Sequence, residues 1–208
     1  RPGVMDRPLA LLQPSIGIVT VLEDDHLAAF GSREAIAQEM AKLIRSLPAT
    51  GTAVLNADDP GVLAMAGDSA ARVLSYGTST AAALQAQDIR SDWPQRLQLT
   101  LAQGAQRVPL QTQLCGTHWV PSVLGAIAGG LASGLRLDQC ATGIAKALPF
   151  DGRMQPVTTP QGVTFIRDDF KAPLWTLSAC LDFMKRARAR RKIIVIGTLS
   201  DYGTGTGA

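Results

Sequence analysis

Only two histidines occur in the 208 residues. One of them, His26, closes the run Glu23-Asp24-Asp25-His26, directly after the apolar stretch Ile16-Gly17-Ile18-Val19-Thr20-Val21-Leu22. Carboxylates and an imidazole gathered where a strand gives way to a loop suit a hard cation or a metal-bound phosphate, and open α/β sheets hold their ligands at the carboxyl ends of strands. The same residues also make an ordinary solvated acidic turn, so the chemistry leaves both readings open. Asn56-Ala57-Asp58-Asp59-Pro60 follows a second apolar stretch and is equally ambiguous, because Asn and Asp cap and Pro terminates in a purely structural turn.

Two later clusters mix both signs of charge. Asp151-Gly152-Arg153 offers a guanidinium whose planar fork suits a phosphate. Arg167-Asp168-Asp169-Phe170-Lys171-Ala172-Pro173 falls between an apolar strand and a helix, again the ligand-binding edge of an α/β unit. Surface ion pairing is the competing account of each.

These residues need a scaffold, and hydrophobic patterning supplies one. Residues 15–22, 52–56 and 72–77 are short, apolar and rich in β-branched side chains, as strands buried in a parallel sheet are. Between the first two, Ser32 is placed to cap a helix, and Ile36, Met40, Leu43, Ile44 and Leu47 recur as one apolar stripe. Pro48 and Gly51 end it. Alternation over residues 97–101 and 108–112, with Gly104 between, predicts an antiparallel hairpin inserted in or added to the sheet. Helices are predicted over residues 122–133 and 138–148, with Gly134 ending the first. Pro and Gly around residues 148–160 mark a domain boundary. Beyond it the pattern predicts a strand over 163–167, a helix over 173–189 and a strand over 192–196. The expected fold is therefore α/β: a mostly parallel central sheet flanked by helices, with a small antiparallel hairpin region, and then an incomplete Rossmann-like α/β domain.

Bulk composition narrows the function classes. Hydrophobic residues make up 46% and charged residues 18%, enough to bury a core. A net charge of +3 is too slight to imply a nucleic-acid or membrane partner. The basic run at residues 185–192 reads better as cations at a helix C-terminus than as a nucleic-acid site. Cys115, Cys140 and Cys180 are odd in number and far apart, which argues against a disulfide framework or zinc knuckle and fits a reducing cytoplasm. No apolar run approaches the roughly 18 residues of a membrane span. A soluble, cytoplasmic monomer is expected. The glycines at residues 203–207 are followed by no helix and form no Gly-x-Gly-x-x-Gly, so a dinucleotide-binding oxidoreductase is poorly supported.

Taken in order, the motifs resemble those of the Mur ligases, the ATP-dependent amide-forming enzymes of peptidoglycan synthesis. Residues 20–32 are similar to the family's Thr-Asn-x-x-x-x-His-Leu-x-x-Phe-Gly-Ser, and residues 55–60 to its Leu-Asn-Ala-Asp-Asp-Pro. Gly116-Thr117-His118, Gly152-Arg153-Met154-Gln155 and residues 193–197 continue the likeness. Phe-Gly-Ser with Gly-Arg-Met-Gln is most similar to the branch that adds D-alanyl-D-alanine. The resemblance implies ATP and Mg2+ as cofactors and a UDP-muramyl-peptide-like substrate. It implies a central ATPase domain over residues 1–155 and the beginning of a C-terminal domain over 156–208. It also implies site residues: His26 at the magnesium ion, Arg153 and Lys171 as catalytic cations, and Arg153, Asp169, Lys171 and His118 at the nucleotide.

The likeness has gaps. No Gly-x-x-Gly-Lys-Ser/Thr phosphate loop occurs in these residues, so the chain reads as an internal fragment, inactive alone. The family's Asn after Thr20 is Val21. The lysine that is carbamylated in most members aligns with Met40, which is more simply core; Lys42, about 200° further round the helix, points away from that stripe. The asparagines after the family's Gly-x-His align with Trp119 and Ser122. A noncatalytic relative, or a ligase with a non-peptidoglycan substrate, is the alternative.

Overall fold

The computed structural model describes residues 2–22, 27–171 and 173–199, without the side chains of Leu27, Ala28 and Trp175. Residues 23–26, the acidic run with His26, lie outside the described residues. Contacts divide the chain into two compact units, one of residues 1–87, 101–108 and 120–141, the other of residues 88–100, 109–119 and 142–208.

A short helix α1 (Asp6–Leu12) comes first. A six-stranded sheet then runs in the order β1-β2-β3-β4-β5-β6, with β1 Ile16–Val19, β2 Thr52–Asn56, β3 Arg72–Gly77, β4 Leu84–Arg90, β5 Gln98–Gln103 and β6 Gln106–Gln111. β1, β2 and β3 pair in parallel along their length, and β4 adds a short parallel pairing through Tyr76–Leu84 and Gly77–Gln85. β5 and β6 are neighbours joined by two residues, which only an antiparallel pair allows. The hairpin therefore extends the sheet. α2 (Leu27–Phe30) and α3 (Arg33–Arg45) connect β1 to β2, and α4 (Pro60–Ala64) connects β2 to β3. α5 (Val120–Ala132) and α6 (Leu137–Ala145) follow β6.

The local reasons match the patterns. The Ser32 hydroxyl accepts the Ala35 N–H at 3.1 Å, capping α3. Replacing such a cap costs about 1 kcal/mol. The α3 stripe buries Ile36 and Ile44 against Val19, Leu22, Ala53 and Leu55, and Met40 and Leu43 pack on the same core. Lys42 faces elsewhere, bridging Asp6 at 2.7 Å and Glu39 at 3.1 Å. Gly134, at φ +89°, ends the turn after α5 in the left-handed region.

In the other unit, β7 (Gln155–Thr158) pairs antiparallel with β8 (Thr164–Arg167). α7 (Leu177–Arg186) follows a 3-10 turn, Leu174–Thr176. The helix expected over 173–189 is thus shorter at both ends. Its Phe183 is fully buried with Cys115 and Met154. The strand expected over residues 192–196 is not formed. That stretch is irregular, with Ile193, Ile194, Val195 and Ile196 at 63, 50, 90 and 54% exposure. A strand needs neighbouring backbone to take its hydrogen bonds, and among the described residues none is paired with it.

Candidate functional site

At the carboxyl ends of β1, β2 and β3, the Asn-Ala-Asp-Asp-Pro segment works as a tie. Asn56, buried, donates from Nδ2 to the Thr20 carbonyl at 2.8 Å and accepts the Asp58 N–H at 3.0 Å. Asp58 accepts the Thr78 N–H at 2.7 Å, the Thr78 hydroxyl at 3.0 Å and the Ser79 N–H at 3.1 Å. Gly77 makes this possible, since a Cβ there would lie 2.6 Å from Asp58 Oδ1. Asp59 caps α4 through the Gly61 and Val62 N–H groups and accepts the Leu22 N–H at 2.7 Å. Arg33 donates to the Leu22 carbonyl. The structural reading of this motif accounts for each of these side chains. Its product is a fixed end to the strand that leads into residues 23–26.

The other unit gathers four of the five residues expected from sequence. His118 lies in the 3-10 turn Thr117–Trp119. Its ring folds back over Gly116, where φ is +102° and a Cβ would lie 2.4 Å from the imidazole Cε1. Glycine is required there twice over, by conformation and by space. The Gly116 N–H is anchored on the buried Ser91 hydroxyl at 2.7 Å. Solvent reaches the His118 side chain, yet the protein packed round the ring disfavours the imidazolium and lowers its pKa, with the Asp168 charge opposing.

Arg153 sits half-buried between two left-handed residues, Gly152 at φ +66° and Met154 at φ +45°. Its Nη1 donates to the Lys171 carbonyl at 2.9 Å, and its guanidinium stacks 5.0 Å from the centre of the Phe170 ring. Phe170 in turn meets Phe150 edge to face at 5.4 Å. The turn that carries Arg153 is therefore held against residues 167–171, and the Phe170 N–H reaches the Gly152 carbonyl at 3.1 Å. Among the described residues no carboxylate pairs with Arg153. A positioned guanidinium beside a lysine can meet a polyphosphate.

Asp169 is exposed and paired with Arg167 at 3.1 Å, and Arg167 also reaches Asp151 at 3.1 Å. Its hydrogen bond with Arg167 holds the Asp169 carboxyl below its usual range. Sequence reasoning named Asp168 within the cluster at residues 167–173 but gave it no role of its own. Its Oδ1 accepts the Met154 N–H at 3.2 Å and its Oδ2 accepts the Cys180 thiol at 2.9 Å. Burial, and then this carboxylate, push the Cys180 thiol up to about 12. A signal for Asp168 was present: it shares strand parity with Ile166, which packs on the core, whereas Phe165 points out at 56% exposure.

Among the described residues no group of three or more His, Cys, Asp or Glu side chains is placed to hold a metal ion. The magnesium residue implied for His26 lies outside them. Cys115, Cys140 and Cys180 are free thiols. No helix of the described residues is long and apolar enough to cross a membrane.

The family model described as Mur ligase middle domain matches residues 3–130. A UDP-N-acetylmuramoyl-tripeptide--D-alanyl-D-alanine ligase of Mycobacterium bovis is 35% identical over 91% of this chain and 38% of its own length. The crystal structure of MurF from Acinetobacter baumannii matches with a TM-score of 0.81 at 20% identity, over 89% of this chain and 40% of that one. MurF ligase from Thermotoga maritima, solved in complex with ADP, matches with a TM-score of 0.77 at 16% identity, over 89% of this chain and 42% of that one. The chain thus spans less than half the length of each of these relatives.

Proposed function

Because the chain belongs to the Mur ligase family, we propose that it forms part of an ATP-dependent carboxylate-amine ligase acting on a UDP-muramyl peptide in peptidoglycan precursor synthesis. The observation that carries this reading is the 35% identity to a D-alanyl-D-alanine-adding ligase across 91% of the chain. Residues 1–155 would belong to the central ATPase domain and 156–208 to the start of the C-terminal domain, in a cytoplasmic, monomeric protein of the relatives' full length.

In such a reaction the substrate carboxylate oxygen attacks the γ-phosphorus of ATP and ADP leaves. The amine then attacks the acyl phosphate carbon, inorganic phosphate leaves and the amine proton goes to a base or water. Nearly all of the catalytic work in the first step is placement and charge stabilisation. Arg153 is suited to it, because the Lys171 carbonyl and the Phe170 ring already fix its guanidinium, so little side-chain freedom is lost on meeting a phosphate. Lys171 brings a second cation to the same loop. His118, its imidazolium disfavoured, contributes a neutral ring able to hydrogen-bond the nucleotide. Asp169 acts through Arg167, holding that cation in the loop. Magnesium, when bound, would neutralise phosphate charge; the residues described here offer it no carboxylate cluster, and His26 remains the proposed ligand.

The test is ATP-dependent joining of a UDP-muramyl tripeptide to D-alanyl-D-alanine by the full-length protein, followed by phosphate release. Activity lost in Arg153→Ala and His26→Ala supports the reading. Nucleotide binding without any ligation would favour the noncatalytic alternative, to which the packing of Met40 on the core, at the position aligned with the family's carbamylated lysine, lends weight. Ligation confined to other acceptors would favour a non-peptidoglycan substrate.

A further inference from the structure

Asp168 is the point at which four segments of one unit meet. Its Oδ1 takes the N–H of the peptide that joins Arg153 to Met154, and its Oδ2 takes the thiol of Cys180 on α7. Its charge also faces His118 in the turn after Gly116, and it continues β8 toward Phe170 and Lys171. The peptide it holds needs holding. Arg153 is bracketed by Gly152 and Met154, both left-handed, and a non-glycine residue keeps such a conformation only where its surroundings over-determine it. Four bonds do so here: Gly152 N–H to Gln155 Oε1 at 3.3 Å, Arg153 N–H to the Phe150 carbonyl at 3.0 Å, Phe170 N–H to the Gly152 carbonyl at 3.1 Å, and Met154 N–H to Asp168. The first two close the turn on itself. The third and fourth tie its backbone to the neighbouring loop, and only the fourth does so through a charged side chain, with the Met154 side chain buried beneath it beside Cys115 and Phe183.

We infer that Asp168 is the positioning residue of the nucleotide site: without touching nucleotide, it sets where the Arg153 guanidinium stands by fixing the Arg153–Met154 peptide. This rests on the reading of Arg153 as the phosphate-binding cation. Asp169, its neighbour in sequence, has a different task, since it is exposed and spends its charge on Arg167.

The experiment measures KM for ATP, KM for the muramyl peptide, kcat and ADP affinity in the full-length protein, for wild type, Asp168→Ala, Asp168→Asn and Arg153→Ala. Displacing a binding cation by an ångström or so is expected to raise the ATP KM and the ADP Kd of Asp168→Ala by about tenfold or more, with the muramyl-peptide KM changed less than about threefold. Asp168→Asn keeps an oxygen for the Met154 N–H and is expected to recover most of that loss. An ATP KM within about twofold of wild type in Asp168→Ala, while Arg153→Ala is impaired, would overturn the inference. So would an equal rise in both KM values accompanied by a lower Tm, which is the mark of general loosening. If Asp168→Ala does not fold, Asp168→Ser, too short to reach the Met154 N–H, takes its place, and failure of both to fold also overturns it. If wild type binds ADP but ligates nothing, the functional reading fails, and the ADP affinities still decide this one. If Arg153→Ala leaves ADP affinity unchanged, the site reading fails and takes this inference with it.

Discussion

Glu39 shows how much one side chain can settle. Buried on α3, it accepts the Met5 N–H at 2.9 Å and the Gly3 N–H at 3.0 Å, and pairs with Lys42. Those two backbone bonds, Met5 first, hold its carboxyl down from the ordinary 4.5 to about 2. The folded value lies below the unfolded one, so this stabilisation is complete above about pH 4.5 and is lost as pH falls toward 2. Glu39→Gln is therefore expected to lower Tm at neutral pH and to flatten the fall of Tm between pH 4.5 and 2; parallel Tm curves for the two proteins would refute the assignment. Asn56→Ala is expected to cost about 2 kcal/mol, read from the urea midpoint, because it removes at once the two part-buried hydrogen bonds that the Asn56 side chain makes to the Thr20 carbonyl and the Asp58 N–H. The Asn-Ala-Asp-Asp-Pro segment was legible as turn-forming from its residue types, but which strands it ties was not, since its partners at residues 20, 22, 78 and 79 are set by sheet order. Asp168 and Asp169 are adjacent and chemically identical, and only the parity of β8 separates the inward one from the outward one.

Elements were legible where one face is buried and the period is clean. β2 and β3 match the expected ranges to the residue, and α3 starts at its predicted cap, because apolar runs and caps are local signals. Residues 192–196 have the pattern of a strand but do not form one, because apolar, β-branched composition reports only a preference for burial, and pairing depends on what lies alongside. The short α4 was missed: Asp59 and Pro60 signal its start, but five residues are too few to show a period. α5 carries a further signal in its glycines. A Cβ on Gly125 would stand 3.1 Å from Tyr76 Oη and 3.4 Å from Tyr76 Cζ, and Tyr76 is fully buried and has no room to give way. Gly143 on α6 faces no atom within 4 Å. The two helices therefore predict opposite signs in denaturant titrations. Gly125→Val is expected to lose about 1–3 kcal/mol by overpacking, and Gly143→Ala to gain up to about 1 kcal/mol from helix propensity. Two losses of equal size would count against close packing of α5 on β3.

At the scale of the molecule, composition establishes that a core can form, and the ordered motifs point to the family. What neither could supply was the distribution of exposed apolar surface. Ile193, Ile194, Val195 and Ile196 are consecutive, β-branched, uncharged and each at least half exposed. A window of that kind, with no proline and no charge inside it, is a template for strand pairing between chains. Lys192 stands at its head, its ammonium held by the Lys185 and Ala187 carbonyls at 3.0 and 3.3 Å, so it gives the stretch little protection along its length. Ile194→Lys together with Ile196→Lys is expected to slow aggregation of the 208-residue chain severalfold, followed by light scattering, with Tm unchanged because neither side chain belongs to a packed core. A Tm lowered by the pair would mean that the stretch is packed in solution; aggregation unchanged at equal Tm would place the sticky surface elsewhere, with Leu148 and Phe150, at 79 and 61% exposure, the next positions to charge.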